Sequence, residues 1–421
     1  MSDNKIWNSD FNEKEVWNIL HEELAIPQVV NEKAYDAFYQ IKKESSAYHN
    51  TENGGIKIMK VNTHKKNKRK MTMVLLAATL AVGTVTAGAA VYMKWSSGLE
   101  KGLRVTEEQK EMAESTGLAD FPEISVTQND VTVTAQQSIV DNYYAYLSFK
   151  VEGYECPEGE QPMFSEAVVT VDGQTVTMGA SFYDGLISDA NGKAVLADGS
   201  PIPLDENGAF LLDYTMEDGS MEYRVNLSGD GERGYFMGKP IHVELKDLGY
   251  YADKEESRIE VEGSWIFDWT LSGDESIYVA ECNEKLGDTG ATVTNAEISP
   301  ISIKAILEMP RQEITEIGFH ESQEEINGEL VNKSEPFEFV TYEEPPRLSG
   351  VKLVDGTILP NMYMGPGTMG YVDDVSDTYE VRFAIDRILD VNQVESLLFV
   401  KSYPEGEEEY TEEHFYVVNI R

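Results

Sequence analysis

The amino-acid sequence predicts a mainly β protein of two antiparallel sandwiches, joined through one transmembrane α-helix to a short α-helical amino-terminal segment. Three observations predict it. Residues Met71–Met93 are 23 consecutive uncharged, mostly apolar positions. After them, apolar residues recur with period two between turn dipeptides such as Asp172-Gly173, Asn191-Gly192 and Asp218-Gly219. Before them, apolar residues recur at helical spacing.

The amino-terminal segment, residues 1–70, holds two helical patterns. Phe11, Val16, Trp17, Leu20 and Leu24 make the first stripe, Pro27 interrupts, and Val29, Val30, Ala34, Ala37, Phe38 and Ile41 make the second. Two short amphipathic helices bury little surface alone and are marginal in isolation. Their stripes therefore mark the candidate partner-binding residues: Val16, Trp17, Leu20 and Leu24, then Val30, Ala34, Phe38 and Ile41. Such stripes suit the groove of a cytoplasmic partner, or a membrane face. Residues Asn50–Lys70 are polar and basic, contain Gly54-Gly55, and read as a tether.

The apolar run at 71–93 would make a helix of roughly 35 Å, enough to cross a ~30 Å hydrocarbon core. Of the six residues before it, Lys65–Lys70, five are basic, against a single Lys94 just beyond it. That asymmetry places the amino terminus in the cytoplasm and the remainder outside. A cleaved signal peptide would carry its apolar stretch near the start of the chain, and here 70 residues precede it. Within the span, Gly83-x-x-x-Ala87 permits close helix packing.

Charge divides at the same place. Residues 1–70 carry 12 Lys and Arg against 10 Asp and Glu, whereas residues 94–421 carry 22 against 65. So acidic an outer part repels nucleic acid and anionic lipid; it reads first as a solvated surface, with attraction of cations or cationic peptides as the alternative. Its 328 residues exceed the size at which one core stops growing.

Along the outer part, Thr106 with Gln109 fits a capping box and Gly117 a carboxy-terminal stop, so a short juxtamembrane helix and linker occupy 94–120. Strand patterns follow at Val131–Thr134, Tyr144–Phe149, Val169–Val171, around Val176 and Met178, and at Trp265–Leu271. These assign a sandwich to 121–285. A boundary is expected in the polar run Gly287–Thr294. A second strand-rich set then fills 290–421: Ile301–Ala305, Leu348–Val354, Tyr379–Ile385 and Phe415–Ile420, with loops at Glu344–Pro346 and Met364–Gly367.

The motifs with the spacing of chemical sites read as structure. Gly229-x-Gly231-x-x-Gly234 has the dinucleotide spacing, but a strand pattern follows where a helix is required, so it reads as a hairpin loop. Asp288-Thr289-Gly290 lacks the second carboxylate of an aspartic protease and reads as a turn. The Asp- and Asn-rich loop Asp189–Asn207 misses the helix–loop–helix calcium pattern. Six histidines stand singly, so neither a metal site nor a triad assembles. Trp265, Phe267 and Trp269 alternate on one strand face and read as core. Cys156 and Cys282 exclude a disulfide scaffold, and spacing leaves their pairing open. No enzyme, cofactor or metal is expected.

Several stretches resemble a known family: WSSGLEKGLRVTEEQ (Trp95–Gln109), VTVTAQQSIVDNYYAYLSFKVEG (Val131–Gly153) and GSWIFDW (Gly263–Trp269). They are similar to a membrane-anchored family of Gram-positive bacteria, number 4179 among domains of unknown function, and IPQVVNEKAYDAFYQIKKE before the span is similar too. The later TNAEISPISIKAILE, VKLVDGTILP and DVNQVESLLFV resemble the immunoglobulin-like domain that commonly follows it. The resemblance implies two immunoglobulin-like sandwiches outside the cell and an anti-sigma-factor-like architecture. In it a cytoplasmic segment holds a sigma factor and the outer domains report envelope conditions through an unknown extracellular ligand. The chain lacks the histidine–cysteine motif of zinc-binding anti-sigma domains, and the family brings no catalytic residues. The rival class is a membrane-anchored envelope-binding protein with no signalling role.

Overall fold

The structure is a computed structural model that describes residues 95–421, apart from 205–207, 209, 253–255, 327–328 and 405–407. The two amino-terminal stripes, the tether and the run Met71–Met93 lie outside the described residues. Among the described residues no helix is long and apolar enough to cross a membrane.

Two short helices lead the described chain. Ser96 caps α1 (Ser97–Gly102) by accepting from the Leu99 N–H. For α2 (Glu107–Thr116) the expected capping box forms between Thr106 and Gln109, and Gly117 ends the helix in the left-handed conformation, φ 79°.

The β-strands, numbered in chain order, are antiparallel throughout. In the first sandwich one sheet runs β1 (Ala119–Asp120), β3 (Val131–Val140), β4 (Tyr144–Glu152), β10 (Met221–Ser228), β7 (Thr177–Phe182), and β2 (Ile124–Gln128) also pairs with β3. The facing sheet runs β12 (Glu256–Thr270), β11 (Pro240–Ala252), β5 (Gln161–Val171), β6 (Gln174–Thr175). Asp172 and Gly173 both take positive φ, 51° and 74°, which gives the tight hairpin between β5 and β6. A small hairpin, β8 (Leu186–Ser188) with β9 (Ala194–Leu196), stands apart from both sheets.

Inner faces of the two sheets meet in one core, with Val133, Leu147, Phe149 and Val225 opposite Val169, Val243, Trp265 and Phe267. Strand β12 alternates as its sequence predicts. Trp265 and Phe267 are buried, Trp269 packs at the margin, and Ile266 between them is exposed. The Trp265 indole N–H donates to the Val131 carbonyl at 3.2 Å, which satisfies its polar atom inside the core.

The second sandwich pairs a sheet β13 (Tyr278–Lys285), β14 (Thr292–Ser299), β15 (Ser302–Glu308), β21 (Thr378–Ile385), β20 (Tyr363–Tyr371) with a sheet β19 (Ile358–Leu359), β18 (Leu348–Leu353), β22 (Val394–Val400), β23 (Phe415–Asn419). Val293, Ile303, Leu307 and Phe383 face Val351, Leu397 and Phe399 across its core. A long ribbon, β16 (Glu313–Ile326) with β17 (Glu329–Tyr342), pairs with itself alone among the described strands.

Two expectations are corrected. The run Gly287–Thr294 is the β13–β14 hairpin, so β13 already belongs to the second sandwich and the passage between sandwiches runs through Leu271–Ile277. Turn residues signal a hairpin as readily as a boundary. Met364–Gly367 is a bulge within β20, where pairing with β21 skips from Tyr363 to Gly367 and Gly365 takes φ 77°. The cysteines are free and half-buried, Cys156 against the first core and Cys282 against the second.

The alternation of β12 is testable. Phe267→Ala should cost about 3–5 kcal/mol, whereas Ile266→Ser on the outer face should cost less than about 1 kcal/mol. Urea denaturation checks both, and equal costs would contradict the register.

Candidate functional site

Strand β4 explains the sequence YYAYLSF. It is buried on both faces: Ala145, Leu147 and Phe149 enter the first core, while Tyr144 and Tyr146 face a third apolar cluster. That cluster joins the two sandwiches. From the amino-terminal side it contains Trp95, Leu99 and Leu103, from the first sandwich Ile139 and Tyr143, and from the second Ile301, Ala384 and Ile388.

Tyrosine suits such a position because its ring packs while its hydroxyl reaches a partner. The Tyr144 hydroxyl donates to the Arg382 carbonyl and the Tyr146 hydroxyl to the Ile385 carbonyl, each at 3.1 Å. Two side chains of the first sandwich thus bond the backbone of β21 in the second. Burial pushes the Tyr144 phenol up to about 12 and that of Tyr146 well above its ordinary value, so both remain donors.

Charged groups complete the joint. Asp141, fully buried at the turn before β4, accepts from the Tyr143 and Tyr144 N–H groups at 2.9 and 3.0 Å. Its other oxygen accepts from the Ile301 N–H at 3.1 Å and the Ser302 hydroxyl at 2.6 Å, across the joint. Burial pushes the Asp141 carboxyl above its usual range, and these four donors pull against it.

Arg382, also buried, donates to the Gly229 carbonyl at 3.0 Å and to Glu380 at 3.2 Å. Gly229 opens the loop with the dinucleotide spacing, which is here a contact between sandwiches. In the same loop Arg233 pairs with Glu297 at 2.9 Å, and the Tyr143 hydroxyl donates to that carboxylate. Burial would raise Glu297, but the hydrogen bonds from Arg233 and Tyr143 outweigh it and hold the carboxyl below its usual range.

The segment Trp95–Leu103 is wedged into this joint. The Trp95 ring packs edge-on to Phe121, and its indole N–H donates to Glu114 of α2 at 2.7 Å. Glu222, on β10 and 3% exposed, accepts from the Ser96 hydroxyl and from the Gly98 N–H, the latter at 2.7 Å. The Ser96 N–H donates to Gln137 of β3 at 2.9 Å. Glycine suits position 98, where a Cβ would lie 2.6 Å from the buried Glu222 carboxylate, and at 102 a Cβ would lie 2.8 Å from the Arg224 guanidinium, which would have to shift. The other side of the wedge touches the second sandwich. Arg104 pairs with Asp386 at 2.8 Å, and Gln109 of α2 donates to the Ile388 carbonyl at 2.7 Å.

None of the eight residues expected to bind a partner, Val16, Trp17, Leu20, Leu24, Val30, Ala34, Phe38 and Ile41, falls within the described residues. The joint itself was not anticipated. Its signals are the doublet Tyr143-Tyr144 and the charge Glu222 inside the run Met221–Val225. Among the described residues, no group of three or more His, Cys, Asp and Glu side chains is placed to hold a metal ion. Loop Asp189–Asn207 spends its first carboxylates on turns, with Asp189 accepting from the Asn191 and Lys193 N–H groups and Asp198 from that of Ser200.

No family model matches the chain, and no curated protein matches it. Among solved structures, a conserved domain protein from Bacillus anthracis is similar at 12% identity with a TM-score of 0.33, over 72% of this chain and 86% of that one. A likeness of that size carries no functional conclusion.

Two outcomes test the joint. Glu222→Ala leaves the Gly98 N–H and the Ser96 hydroxyl proton without an acceptor and should cost about 2–3 kcal/mol. Tryptic cleavage after Lys101 and Arg104 should then accelerate by roughly tenfold or more, and unchanged cleavage would contradict the clamp. For Glu297, whose folded value lies below its ordinary 4.5, the added stability is complete above that pH and is lost as pH falls through the lowered value. Because Arg233 is half exposed and screened, Glu297→Gln should cost only about 1 kcal/mol at neutral pH. Denaturation curves should show that deficit closing as the solution is acidified.

Proposed function

We propose that the chain is a single-pass membrane signalling protein of anti-sigma-factor-like architecture. In this reading the run Met71–Met93 spans the membrane, residues 1–70 hold a cytoplasmic partner, and two immunoglobulin-like sandwiches form an extracellular sensor. The observation that supports it is the wedge: the residues immediately after the span, Trp95–Leu103, are fixed between both sandwiches. A displacement of either sandwich would then be delivered to the end of the span. A merely anchored binding domain has no need of such a coupling, and a flexible tether would serve it better. The charge split supports the orientation, and the resemblance of Trp95–Gln109 and Val131–Gly153 supports the class of partner.

The test is co-purification of the full-length chain, extracted in detergent, with the sigma factors of its host. The wild-type chain should retain one of them. A variant carrying Trp17→Glu and Leu20→Glu should retain at least about tenfold less, because each change puts a charge on an apolar docking stripe. Retention of no sigma factor by the wild type, or equal retention by the variant, would overturn the reading.

A further inference from the structure

The ribbon of β16 and β17 does not serve the joint, and its surface is unusual for a paired hairpin. Directly opposed residues share a face, so Thr315, Ile317 and Phe319 lie beside Val340, Glu338 and Pro336. On that face Ile317 is 63%, Phe319 59% and Val340 64% exposed. The other face carries aromatics that pack on one another. Phe337 stacks on His320 at 4.1 Å, and Phe337 and Phe339 cover Gly318, where an added Cβ would lie 2.7 Å from the Phe337 ring.

The base of the ribbon is held firmly. Arg311 donates to the carbonyls of Asp373 and Ser376, and its guanidinium lies 4.2 Å from the Tyr371 ring centre and 5.1 Å from that of Tyr342. The exposed face is therefore presented on an anchored stem. Both outer edges face no other described strand. Pro336 removes a backbone donor from β17, whereas β16 contains no proline, so β16 offers the unbroken row of N–H groups.

Charge selects the occupant. Residues 313–342 contain eight glutamates against one lysine, Lys333, and no arginine. A second copy of this ribbon would bring like charges together along the edge, which disfavours self-pairing. An anionic membrane surface is repelled for the same reason.

We propose that the β16–β17 ribbon captures an extended cationic peptide whose alternate residues are apolar, by strand addition along β16. The apolar side chains of the peptide would lie beside Ile317 and Phe319 of β16, and its cationic ones, on the opposite face, would meet Glu316. This names a ligand class for the sensor and rests on the ribbon standing outside the cell. The binding measurement needs no sigma factor, so it and the co-purification can fail separately.

The test uses the full chain in detergent and a short synthetic peptide alternating lysine and valine, followed by calorimetry. A matched peptide alternating glutamate and valine is the control. The lysine peptide should bind, and added salt should weaken it. The doubly substituted Ile317→Ser, Phe319→Ser chain should bind roughly tenfold or more weakly, since two exposed apolar contacts are lost. Glu316→Lys, a charge reversal on the opposite face that leaves the apolar face intact, should also weaken it. Four results would overturn the proposal: no binding of the lysine peptide, equal binding of the glutamate peptide, unchanged affinity in both variants, or self-association of the chain through the ribbon.

Discussion

A carboxylate buried on β10, that of Glu222, is the constraint on which the arrangement depends. A buried charge is tolerable only while its hydrogen bonds are made, and leaving one unpartnered costs several kcal/mol. Glu222 meets that requirement with the Ser96 hydroxyl and the Gly98 N–H, both on the segment entering α1. That helix has six residues and cannot persist by its own propensity. Its stability and the solvation of Glu222 are therefore one event: while the sandwich is folded, the segment stays.

The same logic ties the sandwiches to one another. Domains in one chain commonly move against each other unless their interface is large and apolar. Here Tyr144, Tyr146, Ile139, Ile301 and Ile388 supply the apolar surface, and Asp141 and Arg382 supply buried polar groups satisfied from the opposite side. Pulling the sandwiches apart would strand those groups. The linker adds to this, because the Asp274 N–H donates to the Val140 carbonyl of β3 at 3.0 Å. Against this rigid centre, the β16–β17 ribbon is the element with least tertiary support, held at its base by Arg311 and Tyr342. Under the proposed function the joint transmits and the ribbon samples, and their unequal packing suits them to those roles.

What was legible in the sequence was what local chemistry decides. The capping box at Thr106 and Gln109, the stop at Gly117, the hairpin at Asp172-Gly173 and the alternation at Trp265–Trp269 each follow from bonds made within a few residues. The fold's two-sandwich character follows from the same signals. The joint was illegible because a tyrosine facing a neighbouring sandwich has the same pattern as one facing solvent on an exposed sheet. Tyr144 and Tyr146 are such residues, and only the arrival of β21 distinguishes them. Glu222 was hidden likewise, as a charge in a strand ordinarily marks the wet face. The ribbon escaped because its glutamates and Pro336 dilute the alternation, although Asn327-Gly328 between its arms is a strong hairpin signal. The Gly287–Thr294 run misled because a turn within a domain and a boundary between domains are made of the same residues.

The chain from Ser96 to Leu103 is part of the folded joint. Amide hydrogen exchange in the full-length protein measures this most directly. The Gly98 amide, bonded to Glu222, and the Leu103 amide, bonded to the Leu99 carbonyl at 2.9 Å, should exchange as slowly as those of β4. Exchange of both at the rate of an exposed tether, while β4 stays protected, would contradict it.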